Sequence, residues 1–142
     1  MIGPFRDQYR FLSNFQRCPI VHDGIFYPSA EHAYVAAKTL DLDERIEISL
    51  LPGPGKAKAY GKIMKVRPDW NEVKFDLMKE IIRKKFHNSE LKEMLLATGN
   101  EELVEVNTWG DTVWGVCNGT GLNWLGKILM EVRSELRNGS AG

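Results

Sequence analysis

CPIVHDGIFYPSAEHAYVAAK, residues 18–38, changes its periodicity halfway along. Two brief apolar runs flank Asp23-Gly24, and an Asp-Gly pair between such runs is the strongest short-range hairpin signal. Ser29 follows Pro28 and supplies a side-chain oxygen for the first free amides of a helix, predicted from Ala30 to about Leu40. A hairpin that runs straight into a helix sets the fold question for the rest of the chain.

Working outward, the opening third reads as short strands. Downstream, DERIEISLL predicts a short helix broken by Pro52-Gly53-Pro54-Gly55, and Pro54 suits the first turn of a helix through KAKAYGKIM. Asp69 followed by Glu72 has the carboxyl form of a capping box. Beyond it Val73, Leu77, Ile81 and Phe86 recur at helical spacing, widened by Met78 and Ile82. Asn88 or Ser89 caps a further helix that ends at Gly99, and ELVEV alternates as a strand. NTWGDTVWGVCNGTG reads as a loop. The segment 122–137 closes the chain as a helix with Leu122, Leu125, Leu129, Val132 and Leu136 on its apolar face, stopped by Gly139. Helices outnumber strands and do not alternate with them. The expected fold is therefore α+β: a compact single domain over 1–138, mainly helical with a few short antiparallel strands, and a flexible tail at 139–142.

Composition narrows the function classes. A chain of 142 residues with 43% apolar and 27% charged residues is ordinary for one globular domain. Nineteen cations balance nineteen acids, which argues against a polyanion binder held by its overall field. Cys18 and Cys117 form no CxxC, and neither they nor His22, His32 and His87 have metal-ligand spacing, so no metal is expected. The first residues, MIGPFRDQYRFLSNF, lack a charged segment followed by an apolar core, and no apolar run approaches a membrane span. A reducing cytosol is the expected address.

Glu31 and Lys38 lie seven residues apart on the predicted helix, nearly on one face, with Tyr34 between them. At about 10 Å along the axis they are too far apart for a salt bridge, yet suited to opposite sides of a small ligand. Complementing the helix macrodipole from its two ends explains the same pair. The segment 48–68 contains no acid but carries Lys56, Lys58, Lys62, Lys65 and Arg67, either a phosphate site or a solvated face. Trp70 follows at the start of a helix, where a core aromatic is the ordinary expectation. The glycine-rich loop gathers Trp109, Asp111, Trp114 and Asn123, a set that suits a pocket for a flat base or a sugar and equally suits turn chemistry. RFLSNF offers Ser13 and Asn14 as hydrogen-bonding groups.

Taken in order, RFLSNF, YPSAEHAYVAAK, AKAYGK, RPDW, MKEIIRKKF, LLATG, D-x-x-WG and GLNWLGKILMEVR resemble the NADAR family, which includes the YbiA-like N-glycosidases, over nearly the whole chain. The resemblance implies hydrolysis of an N-glycosidic bond at C1 of a ribose, without a cofactor. It implies as substrates the phosphorylated ribosylamino-pyrimidine intermediates of riboflavin synthesis. ADP-ribose carried on guanine bases of nucleic acid is the alternative, and a non-catalytic ADP-ribose or nucleotide-binding module the second. Residue by residue, it carries over Glu31 of SAEHAY as acid/base, Lys38 of AAK as a covalent or electrostatic group, and Asp111 of D-x-x-WG for ribose or water positioning. Ser13, Asn14, Tyr34, Lys58, Arg67, Trp70, Trp114 and Asn123 are the expected substrate contacts. VCNGTGLNW departs from the glycine and charged residues frequent in relatives, and this departure bears on the leaving group.

Overall fold

The computed structural model describes residues 1–139, so of the expected tail 139–142 all but Gly139 lies outside the described residues. The chain folds into two units, one spanning Asn14–Lys85 and the other joining Met1–Ser13 to the segment from Phe86 onward.

The Asn14–Lys85 unit begins with the hairpin, β1 (Arg17–His22) antiparallel to β2 (Ile25–Ser29), with Ile20 opposite Tyr27 and His22 opposite Ile25. Asp23 (φ 49°) and Gly24 (φ 80°) both take the left-handed conformation that a two-residue turn of this hand requires. Cys18, Ile20 and His22 alternate inward along β1. β2 then passes into α1 (Ala30–Ala36), where the Ser29 hydroxyl accepts the His32 amide at 3.1 Å, a cap contributing about 1 kcal/mol. Ala30, His32, Ala33, Tyr34, Val35 and Ala36 are all buried. The small alanines let neighbours approach closely, so α1 sits at the centre of the unit. The hairpin packs on it with α2 (Leu42–Ser49), α3 (Pro54–Ile63) and α4 (Trp70–Lys85).

α1 is shorter than its sequence predicts, ending at Ala36. The Lys38 carbonyl accepts the Arg67 amide at 2.7 Å, and the Thr39 carbonyl accepts Arg45 Nε at 2.8 Å. These bonds hold the turn after the helix, which closes as the Lys38 and Thr39 amides bond the Val35 and Ala36 carbonyls at 3.1 and 3.2 Å in i→i+3 turns. Lys38 stands in that turn rather than on the helix. Asp69 also differs from expectation. Its carboxylate takes the Arg67 guanidinium at 2.6 and 3.0 Å, while its backbone carbonyl accepts the Glu72 amide at 2.9 Å. Along α4, Met78, Ile81 and Ile82 carry the buried stripe.

In the other unit, Asp7–Leu12 forms a 3-10 helix where short strands were expected. Phe11 and Leu12 are adjacent and both buried, which a strand with one face inward cannot arrange. α5 (Ser89–Ala97) is capped by Asn88, whose side chain accepts the Leu91 amide at 3.0 Å. The strand expected from ELVEV is reduced to β3 (Val106–Asn107) and an isolated bridge from Leu103 to Ile2. β3 pairs with β4 (Val116–Cys117) in parallel, so this second pair does not share the hairpin's antiparallel sense. α6 (Trp124–Arg137) buries Leu125, Ile128, Leu129, Val132 and Leu136, and Arg133 from α6 donates to Thr98 Oγ1 and the Glu101 carbonyl, both at 2.9 Å. Leu122 precedes the helix and is 50% exposed, because Asn123 (φ 54°) turns the chain before α6 starts. The fold class is α+β and mainly helical, with few short strands. Among the described residues no helix is long and apolar enough to cross a membrane.

Candidate active site

α1 and the turn after it bring four of the expected site residues together within the Asn14–Lys85 unit. Tyr34, in the middle of α1, meets Trp70, the first residue of α4, with ring centroids 5.2 Å apart and planes tilted by 56°. Such a pair contributes about 0.5–1.5 kcal/mol beyond its buried area. The Lys38 amine stands 5.5 Å from the Tyr34 ring centre and 6.0 Å from that of Trp70. It also donates to the Gly61 carbonyl of α3 at 3.3 Å. The aromatic faces hold the amine on one side and the end of α3 holds it on the other.

Three influences set the charge of that amine. Burial disfavours the ammonium most and pushes the Lys38 pKa below the ordinary lysine value. Glu31 opposes this by attraction, and Lys74 reinforces it by repulsion. The net shift is downward, the direction that a nucleophilic amine needs. Glu31 occupies the first turn of α1, and its amide donates to the Asn14 carbonyl at 3.1 Å. Its carboxylate thus starts from a fixed backbone position.

His32 is locked beside this pair. Its Nε2–H donates to the Leu51 carbonyl at 3.0 Å, which leaves Nδ1 to accept the Ser29 hydroxyl at 2.7 Å. Burial holds it below the usual histidine range, so this ring is a neutral strut.

The remaining expected contacts divide. Asn14 is brought next to Glu31, but its amide is buried: Nδ2 donates to Met78 Sδ at 3.5 Å and Oδ1 has no partner among the described residues. Arg67 presents its guanidinium to Asp69 rather than openly to a phosphate, and the Lys58 amine lies 5.8 Å from the Phe15 ring centre.

Ser13, Asp111, Trp114 and Asn123 belong to the other unit. There Asp111 Oδ1 accepts the amides of Val113 (3.1 Å) and Trp114 (2.9 Å), so this oxygen closes a turn. Asn107, which sequence reading passed over, braces the same loop. Its Oδ1 accepts the Asp111 amide at 3.0 Å, and its Nδ2 donates to the Asp111 carbonyl at 2.8 Å. Asn123 was expected to contact substrate, and the structure gives its amide a different task. Oδ1 accepts the Glu105 amide and Nδ2 donates to the Leu103 carbonyl, both at 3.0 Å, so both ends hold backbone. Gly126 follows for the same reason, since a Cβ there would strike the Leu103 carbonyl and the Asn123 amide. Asn123 and Gly126 of the N-x-LG run are thus explained by packing.

Gly61 and Lys74 are the site residues that sequence reading missed. Gly61 had a signal in AKAYGK, a glycine inside a helical pattern, which marks a close approach. Among the described residues no group of three His, Cys, Asp or Glu side chains is placed to hold a metal ion.

Residues 3–137 match the family model described as the NADAR domain. The chain is 40% identical over 134 residues to the N-glycosidase YbiA of Escherichia coli (strain K12), covering 92% of this chain and 83% of that protein. It is 39% identical to an N-glycosidase of Nostoc punctiforme, covering 92% of this chain and 87% of the relative. It is 38% identical to a riboflavin biosynthesis protein of Vibrio vulnificus, a longer protein of which it spans 36%. The NMR structure of E. coli YbiA superposes with a TM-score of 0.85 at 37% identity, over 97% of this chain and 84% of that one. On this family match and these identities, the chain belongs to the NADAR domain family.

Proposed function

We propose that the chain hydrolyses the N-glycosidic bond at C1 of a phosphorylated ribosylamino-pyrimidine, an intermediate of riboflavin synthesis. As an enzyme it is a hydrolase of N-glycosyl bonds, the activity for which its relatives are named. The name of the Vibrio vulnificus relative supports the riboflavin assignment, and the equal numbers of cations and acids suit a small substrate better than extended nucleic acid. The observation that carries the reading is the Lys38 amine, half-buried beside Tyr34 and Trp70, with burial lowering its pKa and Glu31 acting on it from the start of α1.

A ribosylamine C1 is at the aldehyde oxidation level. Glu31 takes a proton from the Lys38 ammonium. When the sugar ring opens, its oxygen gains the glycosidic N–H proton and C1 becomes an imine carbon. The freed Lys38 amine adds there, and the pyrimidine amine departs with the proton that Glu31 returns. The resulting imine between Nζ and C1 then takes up water, with the Glu31 carboxylate accepting a proton, and releases the sugar as its aldehyde. In the other route Glu31 stabilises an oxocarbenium-like C1 directly and Lys38 acts through charge alone. The depressed lysine favours the first route, because a purely electrostatic role gains from a full ammonium. Every step draws on residues of the Asn14–Lys85 unit. Asp111, whose Oδ1 holds a turn in the other unit, is not drawn on in these steps.

Incubation with a phosphorylated ribosylamino-pyrimidine beside an ADP-ribosylated guanine oligonucleotide, followed by chromatography, tests the assignment. Release of free pyrimidine amine is the expected result. Release from the oligonucleotide alone would move the substrate to ADP-ribosylated nucleic acid. Tight binding with no product would leave a nucleotide-binding module. Borohydride trapping during turnover separates the routes, with an adduct expected on Lys38.

A further inference from the structure

The Lys38 amine and the ring centres of Tyr34 and Trp70 mark a triangle with sides of 5.2, 5.5 and 6.0 Å. The ring planes are tilted by 56°, an angle that lets both turn a face toward one point, and the amine lies over both. Both rings are buried and fixed, whereas Lys38 ends a flexible stem on a turn and is half-buried. An aromatic face attracts a cation through its quadrupole and loses that attraction when the amine is neutral. The bond to the Gly61 carbonyl at 3.3 Å weakens with the same proton, because it ceases to be charge-assisted. The place where the amine lies is therefore built for the ammonium, whereas the imine chemistry needs the neutral lone pair.

We propose that Tyr34 and Trp70 are positioning residues that act as a latch on Lys38: their faces hold its side chain as the ammonium, and loss of the proton frees the amine to reach C1. The inference rests on the imine reading of the same site and adds to it the residues that time the release of the nucleophile. The charged groups around the amine come from three elements. On α1 Glu31 favours the ammonium alongside the rings, and Lys74 on α4 opposes it together with burial. α3 presents the Gly61 carbonyl, while its Lys58 amine lies over Phe15. Arg67, ahead of α4, is paired with Asp69. A carboxylate in direct contact would fix Lys38 as an inert ion pair. Ring faces bind the ammonium weakly enough to let its proton go.

Ribose 5-phosphate is the probe, because its open-chain form presents an aldehyde without requiring a glycosidic bond to break. The Lys38 lone pair attacks C1, the carbonyl oxygen takes up protons, and loss of water leaves a C1=N bond to Nζ. Cyanoborohydride delivers hydride to C1 and traps the adduct as a secondary amine. The modified fraction of the Lys38 peptide is read by mass spectrometry from about pH 6 to about pH 10, against N-acetyl-lysine in the same tube. Protein made with tryptophan, monofluorotryptophan or difluorotryptophan keeps the packing of the indole while its face loses electron density. Stepwise fluorination is expected to move the midpoint acid by on the order of 0.3–1 pH unit in all, because the weakened face gives up the ammonium sooner. A role for Trp70 in packing alone would give no graded shift. The chain has four tryptophans, so the series is repeated in Trp70→Phe and Trp70→Tyr, where the midpoint should not respond. Two variants guard against one that folds poorly, and thermal melting identifies such a case. A wild-type midpoint that ignores fluorination, or a shift that survives without Trp70, overturns the latch and leaves the imine reading standing. Absence of a Lys38 adduct in the wild type overturns both.

Discussion

Gly61→Ala separates the stability of α3 from the placement of the reacting amine. A Cβ at Gly61 would lie 3.1 and 3.3 Å from the two methyl carbons of Val35 and 3.2 Å from Lys38 Nζ. Ordinary carbon contacts relax to about 3.5–4.0 Å, so the neighbours must give way by a few tenths of an ångström. Val35 is fixed in the buried face of α1, whereas Lys38 ends a flexible side chain, and so the amine moves. For folding, alanine in a helix gains about 1 kcal/mol over glycine, and crowding a packed contact costs about 1–3 kcal/mol. The net loss is therefore expected between about zero and 2 kcal/mol, small enough for the variant to fold. For chemistry, the amine loses its 3.3 Å bond to the Gly61 carbonyl and tilts from its place by Tyr34 and Trp70. A misplacement of about 1 Å costs on the order of 10²-fold in kcat/KM. Gly55→Ala is the control on the same helix, because a Cβ there meets nothing within 4 Å. Urea denaturation and pyrimidine release measured together decide the matter. A folded Gly61→Ala protein with kcat/KM within about twofold of wild type refutes the placement of the Lys38 amine.

Acid should destabilise the fold well above the range in which carboxylates titrate. Burial holds His22 and His32 below the ordinary value of 6.5, so the unfolded chain binds more protons than the folded one in the window below it. Stability from these rings is complete above about pH 6.5 and is lost as the pH falls, by at most about 1.4 kcal/mol per pH unit for each. Denaturation midpoints that stay level from about pH 7.5 to about pH 5.5 would contradict this. Gly126→Ala should lower the urea midpoint, at a cost of about 1–3 kcal/mol or more, because the added methyl meets the Leu103 carbonyl and Asn123 amide. An unchanged midpoint there would show that the Asn123 brace is dispensable.

Local signals in the sequence carried a good part of this fold. Asp23-Gly24 reads as a hairpin turn, Ser29 and Asn88 as caps, and Pro54 as a first-turn residue because each acts on amides within a few positions of itself. What stayed hidden depends on distant partners. The turn that follows α1 is held by Arg67 and Arg45, which reach the Lys38 and Thr39 carbonyls from across the unit. Asp69 sits where a capping carboxylate belongs, yet a guanidinium two residues back takes it. The site shows the same division. Helical periodicity groups Glu31 with Tyr34 on α1, and Lys38 joins them from the turn that follows. Trp70 joins them only through the packing of α4 on α1, and Lys74 arrives with it. Asn123 misleads in the opposite direction, since an asparagine on a glycine-rich loop resembles a ligand contact until both ends of its amide are traced to backbone.

The central claim is that Glu31 and Lys38 form one reaction centre for cleavage at C1. Pyrimidine release from a phosphorylated ribosylamino-pyrimidine by wild type, Glu31→Gln and Lys38→Met, with folding checked by circular dichroism, tests it most directly. Turnover by the wild type is expected, with a loss of at least about 10²-fold in kcat for each folded variant. Undiminished turnover in either folded variant would remove that residue from the chemistry and dissolve the paired reaction centre.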